Sequence, residues 1–405
     1  MAPLEGTRVF DLTSVVMGPY CTMLLRAMGA DVIKVESPEG DVTRAVGPYR
    51  QKGQSGLFIN ANSGKRSIAI DLKSPAGRRV CLDLVASCDV FVHSIRPDGL
   101  QRLGLDYPSV AAINPRLIYC NLLGFGRRGR YYGKPAYDDT IQAISGLSML
   151  QAEQLGAPGY IPSVFGDKLT GLMAAYAISA AMVSRHKNGL GQEIDVPMFE
   201  TMAGCLLLEH ASGSTFKPPI GRPLYQRLVG KHRKPVLTKS GYISIMVYND
   251  KQWEGFCMAA DRRDLLSDPR FLTIEERTNH TDEYYALVSS IVLTKTAEEW
   301  GQLLEKAEVP CVPLNRLDDL PSDPHMQDVG FFKEIPDQWG NAMQLPRFSV
   351  DLYGTPALEP GAAPVLGEHS EQILRELGYP AREIEELIEK GVISRPSMPS
   401  EALHG

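Results

Sequence analysis

Between residues 8 and 121, short β-branched runs alternate with helix-forming stretches, and this alternation constrains the fold more than any other feature of the chain. Residues 8–12, 31–36, 67–70, 89–93 and 117–121 read as strands. The spacing predicts helices over 19–28, opened by Gly18-Pro19, and over 76–87. A helix between two strands carries the chain back in the same direction, so the pattern predicts an α/β fold with a parallel sheet. Such sheets bind ligands beyond the carboxyl ends of their strands. A helix over 168–186, rich in Gly, Ala and Ser, comes next, then a strand at 193–196 and an apolar helix at 199–211.

The chain has 405 residues, more than one hydrophobic core ordinarily serves. Its character changes after residue 213. Pro218, Pro219, Pro223 and Pro235, set among arginines and lysines, make 214–238 read as a crossover linker. Residues 239–325 read as a small α+β domain, with strands at 242–247 and 309–312 and helices near 250–260, 281–293 and 296–307. Tail helices near 368–377 and 380–390 are too few to form a core of their own. A large Rossmann-like α/β domain is therefore expected from residues 1–213 and 326–405 together.

Several classes are disfavoured. A net charge of -6 gives no electrostatic footprint for nucleic acid or an anionic membrane. The seven cysteines stand singly, which indicates neither a zinc site nor a disulfide framework and points to a reducing compartment. No signal peptide or membrane-length apolar run is read, so a cytoplasmic location is expected. Gly124-Phe125-Gly126-Arg127-Arg128-Gly129 imitates a dinucleotide fingerprint, yet Gly133 and Pro135 follow too soon for a helix. Gly64-Lys65-Arg66-Ser67 resembles the end of a P-loop, but Ile59 replaces the first glycine and Arg66 the magnesium-binding hydroxyl.

One stretch carries chemistry. Val164-Phe165-Gly166-Asp167-Lys168-Leu169-Thr170-Gly171 puts a single carboxylate at the start of the small-residue helix. An aspartate there reads as an N-cap, its oxygen accepting an orphan backbone N–H. It can also be read as a nucleophile toward an activated acyl group, kept ionised by the helix dipole, with Gly166 and Gly171 leaving room for a large ligand. The residues alone leave both readings open.

A resemblance separates them. Pro3-Leu4-Glu5-Gly6-Thr7-Arg8-Val9-Phe10-Asp11-Leu12 and Gly29-Ala30-Asp31-Val32-Ile33-Lys34-Val35-Glu36 resemble the start of the class III CoA-transferases, the CaiB/BaiF family. Asn62-Ser63-Gly64-Lys65-Arg66-Ser67-Ile68, Asp71-Leu72-Lys73, Asn114-Pro115-Arg116-Leu117-Ile118 and Gly124-Phe125-Gly126 extend the likeness. Gly166-Asp167, Thr170-Gly171, Gly189-Leu190-Gly191-Gln192 and Pro364-Val365-Leu366-Gly367-Glu368-His369-Ser370 carry it across nearly the whole chain.

The resemblance implies an enzyme that moves coenzyme A between carboxylic acids, built as an interlocked, ring-like homodimer. It implies no permanently bound cofactor and no metal; acyl-CoA and small carboxylic acids are its partners. Asp167 matches the aspartate that forms a mixed anhydride and then an aspartyl-CoA thioester. The backbone N–H groups at Val16 and Met17 are candidate oxyanion donors, although that turn could simply close the first βα connection. Lys73, Ser94, Arg96, Arg102 and Asp138 fall in regions that match CoA contacts. Acyl-CoA racemases of the superfamily carry a histidine where this chain has Tyr137, which disfavours proton abstraction; a non-catalytic CoA-binding protein is the other alternative.

Departures from the formyl-CoA branch bear on substrate. Val16 replaces a glutamine, Ser37 an arginine and Ser94 an asparagine. Pro135 replaces a lysine, with Lys134 one residue away, and Tyr248-Asn249-Asp250 stands where that branch has a glycine run. Formate and oxalate are therefore disfavoured. A dicarboxylate such as succinate, malate or mesaconate is the alternative, with Arg222, Arg227, Lys231 and Arg233 as possible counter-charges.

Overall fold

Strand β1 (Arg8–Leu12) lies near the middle of a seven-stranded sheet. On one side follow β2 (Asp31–Glu36) and β3 (Arg66–Ile70); on the other follow β4 (Val90–His93), β5 (Ile118–Leu123) and β6 (Gln192–Pro197). All of these pairings are parallel. The computed structural model describes residues 1–396; residues 397–405, the end of the expected 326–405 tail segment, lie outside the described residues.

The strand order 3-2-1-4-5-6 reverses direction between β1 and β4. Loops leaving the carboxyl ends of these two strands diverge to opposite faces, opening a crevice at that point. Alternate residues of each strand serve opposite faces, as the pleat requires. Phe10, Ile33 and Val35 pack with the C-terminal helices Ser370–Glu376 and Ala381–Glu389 through Ile373, Leu374, Ile384 and Leu387. Val9, Val32 and Val90 pack on the other face against α1 (Met17–Ala27) and the long helix Phe165–Asn188. The tail thus completes the core begun by the N-terminal strands, and its last strand (Ile393–Ser394) pairs antiparallel with β3.

The described chain forms two units. The larger holds residues 1–145, 161–203 and 325 onward; the smaller holds Gly146–Tyr160 and Gly204–Pro324. The stretch expected to be a linker, 214–238, is built into the smaller unit. Its Val236–Thr238 segment is a strand paired with Gly241–Ile245, and Val236 is buried in that unit's core. Residues 146–160 belong there too, tied by the Gln154 amide, which donates to the Arg233 carbonyl at 2.8 Å. The core of the unit is aromatic, with Trp253, Phe256, Phe271, Tyr284 and Trp300 packed together.

Candidate active site

The crevice between β1 and β4 is a cleft of about 270 Å³. Ser14, Val15 and Met17 line it from the loop after β1, and Ser94, Ile95 and Arg96 from the loop after β4. Leu122 and Leu123 end β5, while Phe125, Tyr132, Lys134 and Tyr137 come from the segment that follows it. Asp167 projects in from the first turn of the long helix. Asp167, Met17, Ser94, Arg96 and Tyr137, far apart in sequence, therefore meet in one place.

Other candidates lie elsewhere. The side chain of Val16 lines a neighbouring apolar cavity with Tyr20, Leu57 and Lys168. Lys73 and Arg102 are exposed and do not line the cleft; Arg102 sits in the last turn of the helix Pro97–Leu103. Asp138 is buried behind the cleft floor. The arginines proposed as counter-charges, Arg222, Arg227 and Arg233, belong to the smaller unit. There Arg222 pairs with Glu153, and the Arg227 guanidinium lies 4.3 Å from the centre of the Tyr248 ring. Among the described residues that line the cleft, the cations are Arg96 and Lys134.

The capping expectation for Asp167 does not hold. The long helix begins at Phe165, three residues earlier than expected, so Val164 is the N-cap and Asp167 the third helical residue. Asp138 takes the role of an external cap: its Oδ1 accepts a hydrogen bond from the Asp167 backbone N–H at 3.0 Å. The side chain of Gln142, one turn along its own helix, donates to the other Asp138 oxygen. The side-chain amide oxygen of Gln142, Oε1, accepts from the Ile161 N–H at 2.9 Å, fastening the segment that leads into the long helix.

Electrostatics also differ from expectation. The helix dipole alone would keep Asp167 ionised, but burial, helped by the nearby Asp138 carboxylate, pushes its pKa up to about 7. Near neutrality the group is therefore divided between its acid and its carboxylate. A carboxylate made more basic in this way is also a better nucleophile once deprotonated.

The glycines around Asp167 make room for protein. A Cβ on Gly166 would sit 3.1 Å from Asp138 Oδ1, and one on Gly171 would sit 2.5 Å from the Met17 carbonyl oxygen. Gly171 thus lets α1 pack directly on the long helix, which sets Met17 and Asp167 on the same cleft.

Beside the cleft, Val15 has φ +69°, a left-handed conformation that a β-branched residue adopts only under constraint. The sequence gives no signal for this. The link between Asp138 and Gln142 had one: four residues apart, an acid and an amide share a helix face.

With this geometry in place, comparison with known proteins is decisive. The family model for CoA-transferase family III matches residues 4–370. The chain belongs to that family. The class III CoA-transferase is 33% identical to a succinate–glutarate CoA-transferase of Agrobacterium fabrum, over 93% of this chain and 96% of the relative. It is 31% identical to a succinyl-CoA:mesaconate CoA-transferase of Haloarcula marismortui, over 93% of this chain and 97% of the relative. A crystal structure of a CaiB/BaiF family protein from Brucella suis superposes with a TM-score of 0.79 at 32% identity, covering 93% of this chain and 99% of that one. The protein is thus an enzyme of coenzyme A transfer, and its substrates are CoA thioesters and carboxylic acids.

Proposed function

We propose that Asp167 is the covalent nucleophile and that the enzyme moves CoA between dicarboxylic acids. The observation carrying this reading is the position of Asp167: a half-buried carboxylate at a helix N-terminus, opening on the switch-point cleft. An Asp167 oxygen attacks the donor thioester carbonyl and CoA leaves as the thiolate, giving a mixed anhydride. The thiolate then attacks the Asp167 carbonyl, releasing the donor acid and leaving an aspartyl-CoA thioester. The acceptor carboxylate attacks that thioester to form a second anhydride, whose substrate carbonyl the thiolate attacks, freeing Asp167. Each step passes through an oxyanion, and in this reading backbone N–H groups near Met17, on the same cleft as Asp167, stabilise it.

Arg96 suits a CoA phosphate, as the residue types in these loops suggested. Lys134 suits the far carboxylate of a dicarboxylate: its ammonium lies 4.6 Å from the centre of the Tyr131 ring, with no ion-pair partner among the described residues. Two relatives named for dicarboxylate substrates support that class. Among the described cleft-lining residues there is no histidine, which disfavours the racemase alternative; Tyr137 flanks the acyl site.

The family likeness also supports an interlocked homodimer. The exposed face of the long helix is apolar, with Leu172, Met173, Tyr176 and Val183 facing outward, a surface suited to a second chain. All seven cysteines are free thiols, in keeping with a cytoplasmic enzyme. The test of the catalytic reading is exchange of CoA between succinyl-CoA and glutarate. Asp167→Asn should abolish exchange and the covalent adduct seen by mass spectrometry; retained exchange would refute the covalent mechanism.

A further inference from the structure

Beneath the cleft lies a group of buried charges that the transfer chemistry does not itself use. Lys34 on β2 and Lys65 just before β3 are both fully shielded from solvent, as are their partners Asp41 and Asp11. The Lys34 ammonium donates to Asp41 Oδ2 at 3.0 Å and to the Thr13 carbonyl at 3.0 Å. The Lys65 ammonium donates to Asp11 Oδ2 at 3.0 Å, to the Pro19 carbonyl at 3.0 Å and to Asn62 Oδ1 at 2.8 Å. Asp11 in turn accepts from the Thr13 backbone N–H and hydroxyl and from the Thr22 hydroxyl.

These contacts share a pattern. Each lysine spends a hydrogen bond on a backbone carbonyl: Lys34 on that of Thr13, in the loop that walls the cleft, and Lys65 on that of Pro19, in the first turn of α1 that follows the loop. Between them is Val15 at φ +69°, whose N–H points to Asp41 Oδ1 at 3.4 Å. Burying two ion pairs costs desolvation that hydrophobic residues of the same volume would avoid, so stability alone does not account for them. They do account for a loop held in an unfavourable conformation.

The direction of the pull matters. In a trans peptide the carbonyl and the following N–H point opposite ways. The Thr13–Ser14 bond is trans, and its carbonyl is turned inward onto Lys34. The Ser14 N–H therefore points away from the buried charges, and Ser14 lines the cleft. Among the described residues no acceptor is found for the N–H groups of Ser14, Val16 or Met17.

We propose that Lys34 and Lys65 are positioning residues for CoA transfer: they hold the Thr13 and Pro19 carbonyls inward so that the N–H groups of the intervening loop, Ser14 foremost, face the oxyanion formed at Asp167. The proposal rests on the reading of Asp167 as the nucleophile. It moves the leading oxyanion donor from Val16 and Met17 to Ser14 and gives the two buried lysines of the family-like motifs a task.

Two variants test it, Lys65→Met and the paired Lys34→Met with Asp41→Asn. The pair removes opposite charges together, so it keeps the fold testable even where Lys65→Met leaves Asp11 uncompensated. Single-turnover formation of the Asp167 adduct from succinyl-CoA is followed by mass spectrometry, beside CoA affinity by calorimetry and the melting temperature. The expected result is a loss of about 10- to 100-fold in adduct formation and kcat, with KM and CoA affinity within about twofold of wild type. Wild-type adduct that is absent from Asp167→Asn establishes the nucleophile independently. Variants that bind CoA normally and form adduct at the wild-type rate overturn the positioning role alone. A wild-type protein that forms no adduct overturns both readings.

Discussion

The Asp138 carboxylate accepts a hydrogen bond from the backbone N–H of Asp167 at 3.0 Å, so two acidic side chains share one helix N-terminus. Asp138 fastens the start of the helix, while its charge makes the Asp167 carboxylate harder to form. Asp138 thereby fixes the position of Asp167, the proposed nucleophile, and adds to the effect of burial on its basicity.

The rate should follow ionisation of Asp167. kcat/KM is expected to rise with pH through about 7, since only the carboxylate attacks. Asp138→Asn keeps an oxygen to accept the Asp167 N–H but removes the neighbouring charge. Its acid limb should move to lower pH yet stay above the ordinary carboxylate range, because burial, the larger cause, is unchanged. A pH profile of kcat/KM for both proteins measures this.

The same shift bears on stability. The pKa of Asp167 is raised in the folded chain, from 3.8 to about 7, so between these values the folded state holds more protons than the unfolded state. Stability contributed by this group is thus greatest below about pH 4 and is lost as pH rises toward 7. Asp167→Asn escapes that loss and should be the more stable protein by about 2 kcal/mol at pH 8, with little difference at pH 4. Urea denaturation at the two pH values gives the comparison.

Gly171→Ala should couple folding to activity. The new methyl would meet the Met17 carbonyl oxygen at 2.5 Å, and backbone cannot yield as a flexible side chain can. A destabilisation of about 1–3 kcal/mol is expected from overpacking. Because the strain falls on the loop beside Asp167, kcat should drop about tenfold even where the protein remains folded. The denaturation midpoint and steady-state kinetics report the two effects.

Lys134→Ala should discriminate between acids. If Lys134 reads the far carboxylate, removing it should raise KM for glutarate by about 10-fold or more, the worth of a charge-assisted hydrogen bond. The KM for butyrate, which lacks that group, should stay within about twofold. Equal effects on both acids would count against the assignment.

Much of the architecture was legible in the sequence. The runs at 8–12 and 31–36 became β1 and β2 with unchanged ends, because Val9, Phe10, Val32, Ile33 and Val35 fill both faces of a buried sheet even with Asp11 and Lys34 among them. The long helix was visible in its small residues, although its start lay three residues earlier than expected, since Phe165 and Gly166 give no strong capping signal. The fold of 214–238 was obscured by its prolines and charges; the strand it contains is held by pairing with Gly241–Ile245 rather than by its own propensity.

By itself the sequence determined the parallel α/β fold and the family, and it singled out Asp167, because periodicity and local motifs are properties of neighbours along the chain. Only the tertiary structure decided what surrounds that aspartate. It brought Asp138 to its N–H, set Lys134 on the cleft, and laid Lys34 and Lys65 beneath the strained turn at Val15. Burial and charge proximity set the pKa of a nucleophile and the direction of a peptide N–H, and both depend on distances in space that sequence spacing does not encode.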